Sequence, residues 1–269
     1  MFSLDSVDGG EVAKRPIIEI IDLWKAFGSN EVLRGIALSV EEGETLVVLG
    51  PSGCGKSVLL KHIIGILQPD RGKIIVEGVD VTTADRVTLD ALRQRFGMVF
   101  QGAALFDSMT VGQNVGLPLV EHRRMRGAEL DRLVEEKLRL VGLSGVSHLR
   151  PSEISGGMKK RVALARAIAL DPDVILYDEP TTGLDPVMAE QINELIRDVQ
   201  RTVNATSIVV THDLHSACFV ADRVALMDEG SIGFIGTRDE LLTSGNEAVR
   251  NFVARGHADR PLPGDAAGF

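Results

Sequence analysis

The feature that most constrains this chain is a glycine-rich stretch lying between a strand-like run and a helix-like run. Residues 50–57 read Gly-Pro-Ser-Gly-Cys-Gly-Lys-Ser and match the pattern G-x-x-x-x-G-K-[ST]. The apolar run 45–49 precedes this stretch, and an apolar run with helical character follows it. Glycines let such a loop turn its N–H groups toward anionic oxygens, and the start of the helix adds partial positive charge. The sequence therefore predicts a phosphate-binding loop, in which Lys56 reaches the β- and γ-phosphates of a nucleotide and Ser57 ligates Mg²⁺.

The hydrophobic pattern predicts an α/β fold with a doubly wound, largely parallel sheet. Short, near-continuous apolar runs are typical of strands buried on both faces, and here they cover residues 17–23, 45–49, 73–76, 97–100, 174–177, 207–211 and 223–227. Helical runs lie between many of them, at residues 57–67, 129–141, 156–170 and 187–201. We expect two further strands, 36–40 and 231–235, to form an antiparallel flank, and residues 102–165 to form a helical subdomain.

The length of 269 residues indicates one domain, or one domain with a small appendage. We assign the domain to residues 16–245, a flexible, acidic N-terminus to residues 1–15, and an extension and tail to residues 246–269. The extension is expected to begin with an amphipathic helix at 246–253 and to continue as a loose tail from Gly256. No run of 18 apolar residues occurs, so a membrane role would require a partner protein.

Charge and cysteine content restrict the partners and the compartment. The net charge of −9 argues against a broad basic surface for nucleic acid. We interpret the one compact basic run, residues 159–161, as a solvated helix face. The two cysteines, Cys54 and Cys218, have no metal-ligand spacing, which favours a reducing cytosol.

Polar residues also follow three other predicted strands. Gln101, the pair Asp178 and Glu179, and His212 each come directly after an apolar run. Ligands of open α/β sheets lie beyond the carboxyl ends of the strands, so we expect these side chains to meet the phosphate loop. Asp178 suits the Mg²⁺ shell and Glu179 the polarisation of an attacking water, since adjacent strand residues point to opposite sides. Gln101 would touch metal and water, and His212 would donate to the γ-phosphate.

Together with the sequence Ile154-Ser155-Gly156-Gly157-Met158, these residues resemble the ATP-binding cassette of ABC transporters over roughly residues 16–245. The resemblance implies an ABC-type P-loop NTPase with a RecA-like mixed sheet core, an antiparallel β flank and a helical subdomain. It further implies that Phe27 stacks on adenine, that Gln101 lies in the Q-loop and that Glu179 is the catalytic base. Leu184 and Asp185 are similar to the D-loop, and His212 to the switch histidine.

The resulting site has three groups of residues, with ATP as substrate and Mg²⁺ as cofactor. The predicted nucleotide contacts are Phe27, Gly50, Pro51, Ser52, Gly53, Cys54, Gly55, Lys56, Ser57, Val58, Ser155, Gly156, Gly157 and Asp185. The predicted catalytic residues are Lys56, Gln101, Glu179 and His212. The predicted Mg²⁺ ligands are Ser57, Gln101 and Asp178.

The end of the signature indicates a narrower family. Met158 stands where the common form LSGGQ has glutamine, which removes one amide near the nucleotide and leaves the Ser-Gly-Gly core. The runs 155–167 and 101–111 are similar to ATPases of Mla-type, or MCE-associated, lipid transporters. That resemblance implies an ATPase that energises phospholipid transport across a Gram-negative envelope from the cytoplasmic face of the inner membrane. Its implied partners are transmembrane permease subunits and an MCE-domain lipid-binding subunit.

The chain holds one phosphate loop and one signature. In ABC cassettes each ATP lies between the phosphate loop of one copy and the signature of another, so the resemblance implies a homodimer with two composite sites. By similarity to Mla-type ATPases, the extension is expected to contact the other cassette. A permease contact is indicated separately, because Asp107 is the only charged residue in 97–120. We interpret this segment as partly buried and partly lining a groove for a permease helix.

Three alternatives remain. A cassette for another substrate, such as amino acids, metal or lipoprotein, would carry the same motifs. A soluble ABC ATPase of DNA repair is disfavoured, because such proteins insert a long coiled coil where Ser155 follows Ser57 by only 98 positions, and translation factors carry two cassettes. A regulatory nucleotide-binding module without turnover is disfavoured by Glu179.

Overall fold

The computed structural model describes residues 16–259, so the expectations for residues 1–15 and for the tail from 260 lie outside the described residues. The strands are β1 (Pro16–Phe27), β2 (Asn30–Glu41), β3 (Thr45–Leu49), β4 (Arg71–Val76), β5 (Val79–Asp80), β6 (Phe96–Val99), β7 (Val174–Asp178), β8 (Thr206–Thr211), β9 (Arg223–Asp228) and β10 (Ser231–Gly236). The helices are α1 (Lys56–Ile63), α2 (Arg86–Arg93), α3 (Val111–Arg123), α4 (Gly127–Leu140), α5 (Gly156–Ala167), α6 (Pro186–Val203), α7 (Leu214–Val220), α8 (Arg238–Thr243) and α9 (Glu247–Asp259). A 3-10 turn covers Pro151–Glu153.

A six-stranded sheet forms the centre of the protein, in the order β10-β9-β3-β8-β7-β6. All neighbours pair in parallel except β10, which is antiparallel to β9. Every residue of β3, β7 and β8 is buried. Alternate side chains of β3 enter different hydrophobic clusters, Val47 and Leu49 on one face and Leu46 and Val48 on the other. Burial on both faces explains the near-continuous apolar runs and confirms the predicted mixed α/β core.

A second, antiparallel sheet has the order β2-β1-β4-β5. Our assignment of the runs 17–23 and 73–76 to the parallel sheet is therefore wrong, since they belong to β1 and β4. The two predicted flank strands also separate, one into β2 of this sheet and the other into β10 of the central sheet. The run in β1 appears continuous because Ile17 and Ile21 add apolar side chains that are not buried, Ile21 being 39% exposed.

Helices α3 and α4, the 3-10 turn and most of α5 occupy residues 102–165. Thr110 caps α3 through a capping box with Gln113, and Ser155 caps α5 by accepting a bond from Met158 N. Two predicted helices end earlier than expected, α1 at Ile63 and α5 at Ala167. The predictions did not include α2, α7 and α8, which have only eight, seven and six residues and are shorter than the window of about 11–18 residues over which helical periodicity is read.

Helix α9 provides the amphipathic helix expected in the extension. Val249 is 1% exposed, and it joins Val253 in the same hydrophobic cluster as α7 and β9. The helix continues to Asp259, so the predicted loose tail is wrong for residues 256–259. Within the part of the chain that the structure describes, every helix is too short or too polar to cross a membrane.

Candidate functional site

The loop between β3 and α1 depends on glycine at both of its ends. Gly55 caps α1 with φ 110, a conformation that side chains disfavour. A Cβ on Gly50 would lie 2.1 Å from the backbone oxygen of Met227, so only glycine lets the loop leave β3 against β9. Lys56 opens α1, and its Nζ donates to the carbonyl oxygens of Gly50 (2.8 Å) and Pro51 (3.0 Å). The loop is therefore wrapped around a buried ammonium group.

Ser57 and Asp178 form a pair of oxygen ligands next to this loop. Ser57 Oγ donates to Asp178 Oδ1 at 2.6 Å, and Asp178 ends β7 with 9% exposure. Mg²⁺ prefers hard oxygen donors and is usually held by one or two protein groups together with water and substrate phosphates. Among residues 16–259 no group of three or more His, Cys, Asp or Glu side chains could hold a metal by itself. The donor set therefore fits Mg²⁺ shared with a nucleotide.

Glu179 lies at the centre of a connected set of side chains. Its Oε1 is 3.5 Å from Lys56 Nζ, and its Oε2 accepts from Thr182 Oγ1 (3.0 Å) and lies 2.8 Å from His212 Nδ1. Our explanation for the different roles of Asp178 and Glu179 was wrong. Glu179 lies past the end of β7 with φ 49, so the change in backbone direction, rather than strand alternation, separates the two carboxylates.

The contact between His212 and Glu179 determines which ring nitrogen carries a proton. An ionised carboxylate only accepts hydrogen bonds, so Nδ1 of His212 must donate to Glu179. A neutral ring would then present Nε2 as an acceptor. To donate to a γ-phosphate through Nε2 while keeping this contact, the imidazole must be cationic.

Ten of the predicted residues meet around one cavity of about 480 Å³. It is lined by Phe27, Val32, Ser52, Gly53, Gly55, Lys56, Ser57, Val58, Gln101, Glu179, Thr182 and His212. Phe27 ends β1 and is 48% exposed, with Lys25 Nζ 5.5 Å from its ring centre. An aromatic face open to the cavity is suited to stacking on a base. Gln101 reaches the same cavity from the segment after β6.

Several predicted residues do not line this cavity. Gly50 and Pro51 belong to the loop and contribute carbonyl oxygens to Lys56, and Asp178 lies behind Ser57. Cys54 is half-buried, and burial raises the pKa of its thiol although Lys56 lowers it. The thiol is therefore protonated and weakly nucleophilic at neutral pH.

The signature residues are also absent from the cavity lining. Ser155 and Gly156 are exposed at the start of α5, whereas Gly157 is buried against the side chain of Met188. Asp185 caps α6 by accepting from Val187 N and Met188 N at 3.0 Å. One copy of the chain thus brings together the phosphate loop, Gln101, Glu179 and His212, but not the signature or Asp185.

Met158 packs against the main hydrophobic cluster. In this position its side chain contributes to packing, while the exposed serine and glycine at the start of α5 leave backbone N–H groups available. Methionine at position 158 therefore contributes a hydrophobic contact where glutamine of the common signature would present an amide.

Sequence reasoning missed three residues of this region. Thr182 and Val32 line the cavity, and the only signal for Thr182 was its position three residues after Glu179. Lys160 was predicted to be part of a solvated face, which is wrong: it is 8% exposed and its Nζ donates to the backbone oxygen of Gln101. Its neighbour Arg161 likewise donates to the carbonyl oxygen of Val141 at 3.0 Å.

Comparisons with known proteins identify the family of the chain. A sequence model of the family described as ABC transporter matches residues 33–182. The chain is 44% identical, over 88% of its length, to "Probable ribonucleotide transport ATP-binding protein mkl" of Mycobacterium tuberculosis, and spans 66% of that protein, slightly less than two thirds. It is 39% identical, over 91% of its length, to "Intermembrane phospholipid transport system ATP-binding protein MlaF" of Haemophilus influenzae, and spans 93% of it.

A solved structure shows the same fold. It is a dimeric, post-hydrolysis state of the ATP-binding cassette MJ0796 bound to ADP and Pi, with a TM-score of 0.75 and 31% identity. The match covers 82% of this chain and 98% of that one. These findings confirm the resemblance to ABC cassettes and to Mla-type ATPases. Because the family model takes in more than half of the chain and the relatives align along about nine tenths of it, the chain belongs to the ABC transporter family and has the fold of an ATP-binding cassette.

Proposed function

We propose that this chain is the ATP-hydrolysing subunit of a membrane transporter and that it energises the movement of phospholipid. The hydrolytic part rests on one observation: Lys56, Glu179 and His212 meet at a cavity whose floor is a glycine-rich loop. The phospholipid part rests on the similarity to MlaF, whose name states that cargo. Mg²⁺ would be held by Ser57 and Asp178, with Gln101 beside them, and would neutralise charge on the phosphates.

The chain's own residues supply the rest of the chemistry. Lys56, which now donates to two loop carbonyls, is placed to transfer its hydrogen bonds to the β- and γ-phosphates of ATP. Glu179 orients a water and accepts its proton as the water oxygen bonds to the γ-phosphorus and the bond to the bridging oxygen breaks. Thr182 and His212 hold the glutamate carboxylate, and an N–H donated by His212 would stabilise negative charge on the γ-phosphate oxygens. The products are ADP and inorganic phosphate.

A second copy would complete the site. Ser155 and Gly156 are exposed at a helix start and do not line their own chain's cavity, so they are available to the nucleotide of a partner copy. Asp185, exposed at the start of α6, would lie at the same junction. The dimeric cassette that shares this fold supports that arrangement. The proposed assembly is a homodimer with two composite ATP sites.

A groove next to Gln101 provides a surface for the permease. It has a volume of about 440 Å³, and Phe100, Phe106, Leu117 and Pro118 contribute to its lining. Phe106 is 49% exposed, and both of its backbone polar groups are held by the buried side chain of Asn114. The lining also includes Arg93 and Arg166, so a rigidly presented aromatic residue lies in a groove of mixed apolar and basic character, which suits a permease helix. We place the assembly at the cytoplasmic face of the inner membrane, with permease subunits and an MCE-domain lipid-binding subunit as partners.

The hydrolytic proposal is tested by measuring phosphate release from the chain purified with its permease. We expect Glu179→Gln to reduce turnover by about 10²-fold or more and to retain ATP binding, because the phosphate loop is unchanged. Glu194→Gln, an exposed glutamate on α6, is the matched control and should retain turnover. Full turnover in the Glu179 variant would contradict the assignment of the base.

The transport proposal is tested at the groove and through the cargo. Phe106→Asp should keep ATP hydrolysis by the isolated chain but abolish ATP-dependent transfer of labelled phospholipid between vesicles in the reconstituted transporter. Val87→Asp introduces the same charge at a residue that is 79% exposed on α2 and should change neither activity. Transfer of a ribonucleotide instead of phospholipid would favour the cargo named for the mycobacterial relative. Failure to co-purify with any permease would favour a soluble ATPase.

A further inference from the structure

Helix α5 carries a buried lysine whose contact lies next to the nucleotide cavity. Lys160 is 8% exposed, and its Nζ donates to the backbone oxygen of Gln101. Burial lowers the pKa of Lys160, while the charges of Glu179 and Asp178 raise it. Burying an ammonium group without a directly bonded carboxylate costs free energy, because the group loses its hydration. The hydrogen bond to the carbonyl oxygen of Gln101 and the nearby carboxylates offset part of this cost.

A second cation on the same helix holds the same loop segment. Arg166 donates through Nη1 to the carbonyl oxygen of Ala104 (2.7 Å) and through Nη2 to that of Ala103 (2.9 Å). Both alanines have positive φ, 62 and 48, which is unfavourable for residues with a side chain by about 1–2 kcal/mol each. The segment 101–104 therefore keeps an unfavourable backbone path while two α5 cations hold its carbonyl oxygens.

We propose that Lys160 is a positioning residue that fixes Gln101 at the cavity and links it to the signature end of α5. The inference rests on the function proposed above. Lys160 lies five positions after Ser155, which caps the helix start offered to the nucleotide of a second copy. When the start of α5 engages that nucleotide, Lys160 moves with it and shifts the carbonyl of Gln101 in its own cavity. Lys160 thus couples occupancy of one composite site to the geometry of the other.

An uncharged residue at position 160 distinguishes a positioning role of Lys160 from a role in the stability of the fold. Lys160→Met keeps most of the volume but leaves the Gln101 carbonyl without its donor. Since the phosphate loop is untouched, we expect kcat to fall by about tenfold or more and KM for Mg·ATP to change by less than about threefold. The Hill coefficient for ATP should approach 1, because the link between the two sites is lost. Lys160→Arg keeps a cationic donor and should recover most of the wild-type kcat.

The control is Lys159→Met, which removes a neighbouring, half-buried lysine of the same helix turn and should retain wild-type kcat and cooperativity. All variants are measured as full chains with the permease, with melting temperature recorded beside steady-state phosphate release. Gln101→Ala supplies the decisive background: once Gln101 has lost its side chain, Lys160→Met should lower kcat by no more than about twofold further. If Lys160→Met does not fold, Lys160→Gln replaces it in the same double-mutant comparison with Gln101→Ala. The side chain of glutamine is one bond shorter than that of lysine, so its amide does not reach the carbonyl oxygen of Gln101.

The outcomes separate this inference from the proposed function. Wild-type protein that never hydrolyses ATP would refute the function itself. Wild-type turnover together with unchanged kcat and Hill coefficient in the Lys160 variant would refute only the positioning role. Equal losses in the wild-type and Gln101→Ala backgrounds would also refute it, because they would show that Lys160 does not act through Gln101.

Discussion

Replacing Ser216 by alanine tests a buried polar network that joins the loops carrying Glu179 and His212. Ser216, on α7, is 2% exposed, and its Oγ lies 2.5 Å from Asp213 Oδ2, 2.9 Å from Asn193 Nδ2 and 3.4 Å from Thr181 Oγ1. The carboxylate can only accept, so the hydroxyl proton goes to Asp213 and the two lone pairs serve Asn193 and Thr181. Asp213 follows His212, so the network ties the end of β8 to α6.

The contacts set the expected magnitude. Alanine leaves the amide N–H of Asn193, itself 1% exposed, without this partner, and an unpaired buried donor costs about 1–3 kcal/mol. Asp213 keeps two backbone N–H donors at 3.1 Å, so its carboxylate is only partly affected. The contact from Thr181 is long and contributes little. We expect Ser216→Ala to lower the free energy of unfolding by about 2 kcal/mol.

The assay is urea unfolding followed by the fluorescence of Trp24, the only tryptophan of the chain. Asn193→Leu alone should also destabilise, but the double variant should lose at least about 1 kcal/mol less than the sum of the singles, because the buried amide that Ser216→Ala leaves unpaired is then absent. Ser152→Ala, at an exposed serine of the 3-10 turn, is the control and should be neutral. Additive single effects, or a neutral Ser216→Ala, would refute the reasoning.

Three further predictions follow from other contacts. Gly50→Ala should lower the melting temperature and weaken ATP binding, because the added Cβ would lie 2.1 Å from a backbone oxygen. Gly245→Ala, with open space at its Cβ, should be neutral. Thermal melts with and without ATP test both expectations. Asp178→Asn should raise the Mg²⁺ concentration for half-maximal phosphate release by about tenfold, because one charged oxygen ligand is lost, and an unchanged Mg²⁺ titration would contradict this. Val249→Asp should destabilise by at least about 3 kcal/mol in urea unfolding, since it buries an unpaired charge under α9, whereas Val187→Asp, at a residue 65% exposed, should not.

The meeting of the phosphate loop, Gln101, Glu179 and His212 at one cavity could be predicted because these groups follow strands of the central sheet. The strands ending at Leu49 and Thr211 are buried throughout and have apolar centres, so their ends could be located within a residue, and parallel strands bring those ends to one edge. The cavity accordingly contains the loop, Gln101, Glu179 and His212. Local signals were sufficient for these residues.

Other features depend on contacts that local signals do not report. The division into two sheets could not be read from apolar runs, because a run of apolar residues does not show which strands it pairs with, and β1 and β4 pair in a separate antiparallel sheet. The sequence around Glu179 does not show that this residue has a left-handed backbone conformation. That conformation occurs together with a long-range hydrogen bond from the N–H of Glu179 to the carbonyl oxygen of Val210. Lys160 looked solvated because a three-residue basic run normally is, and its burial depends on Gln101, 59 positions away along the chain.

The close approach of α5 to β6 gives that helix a pivot. A Cβ on Gly97 would lie 2.5 Å from the backbone oxygen of Ala167, so the last turn of α5 is pressed onto the strand. The helix has 12 residues and is about 18 Å long, so a tilt of about 10° around this end would carry its first residue about 3 Å and Lys160 about 2 Å. Arg166, beside the pivot, would hardly move. In such a tilt Lys160 would displace the carbonyl of Gln101, while Arg166 would keep the carbonyl of Ala103 in place. The movement of the first turn of α5 would therefore change the backbone between Gln101 and Ala103, next to the phosphate loop.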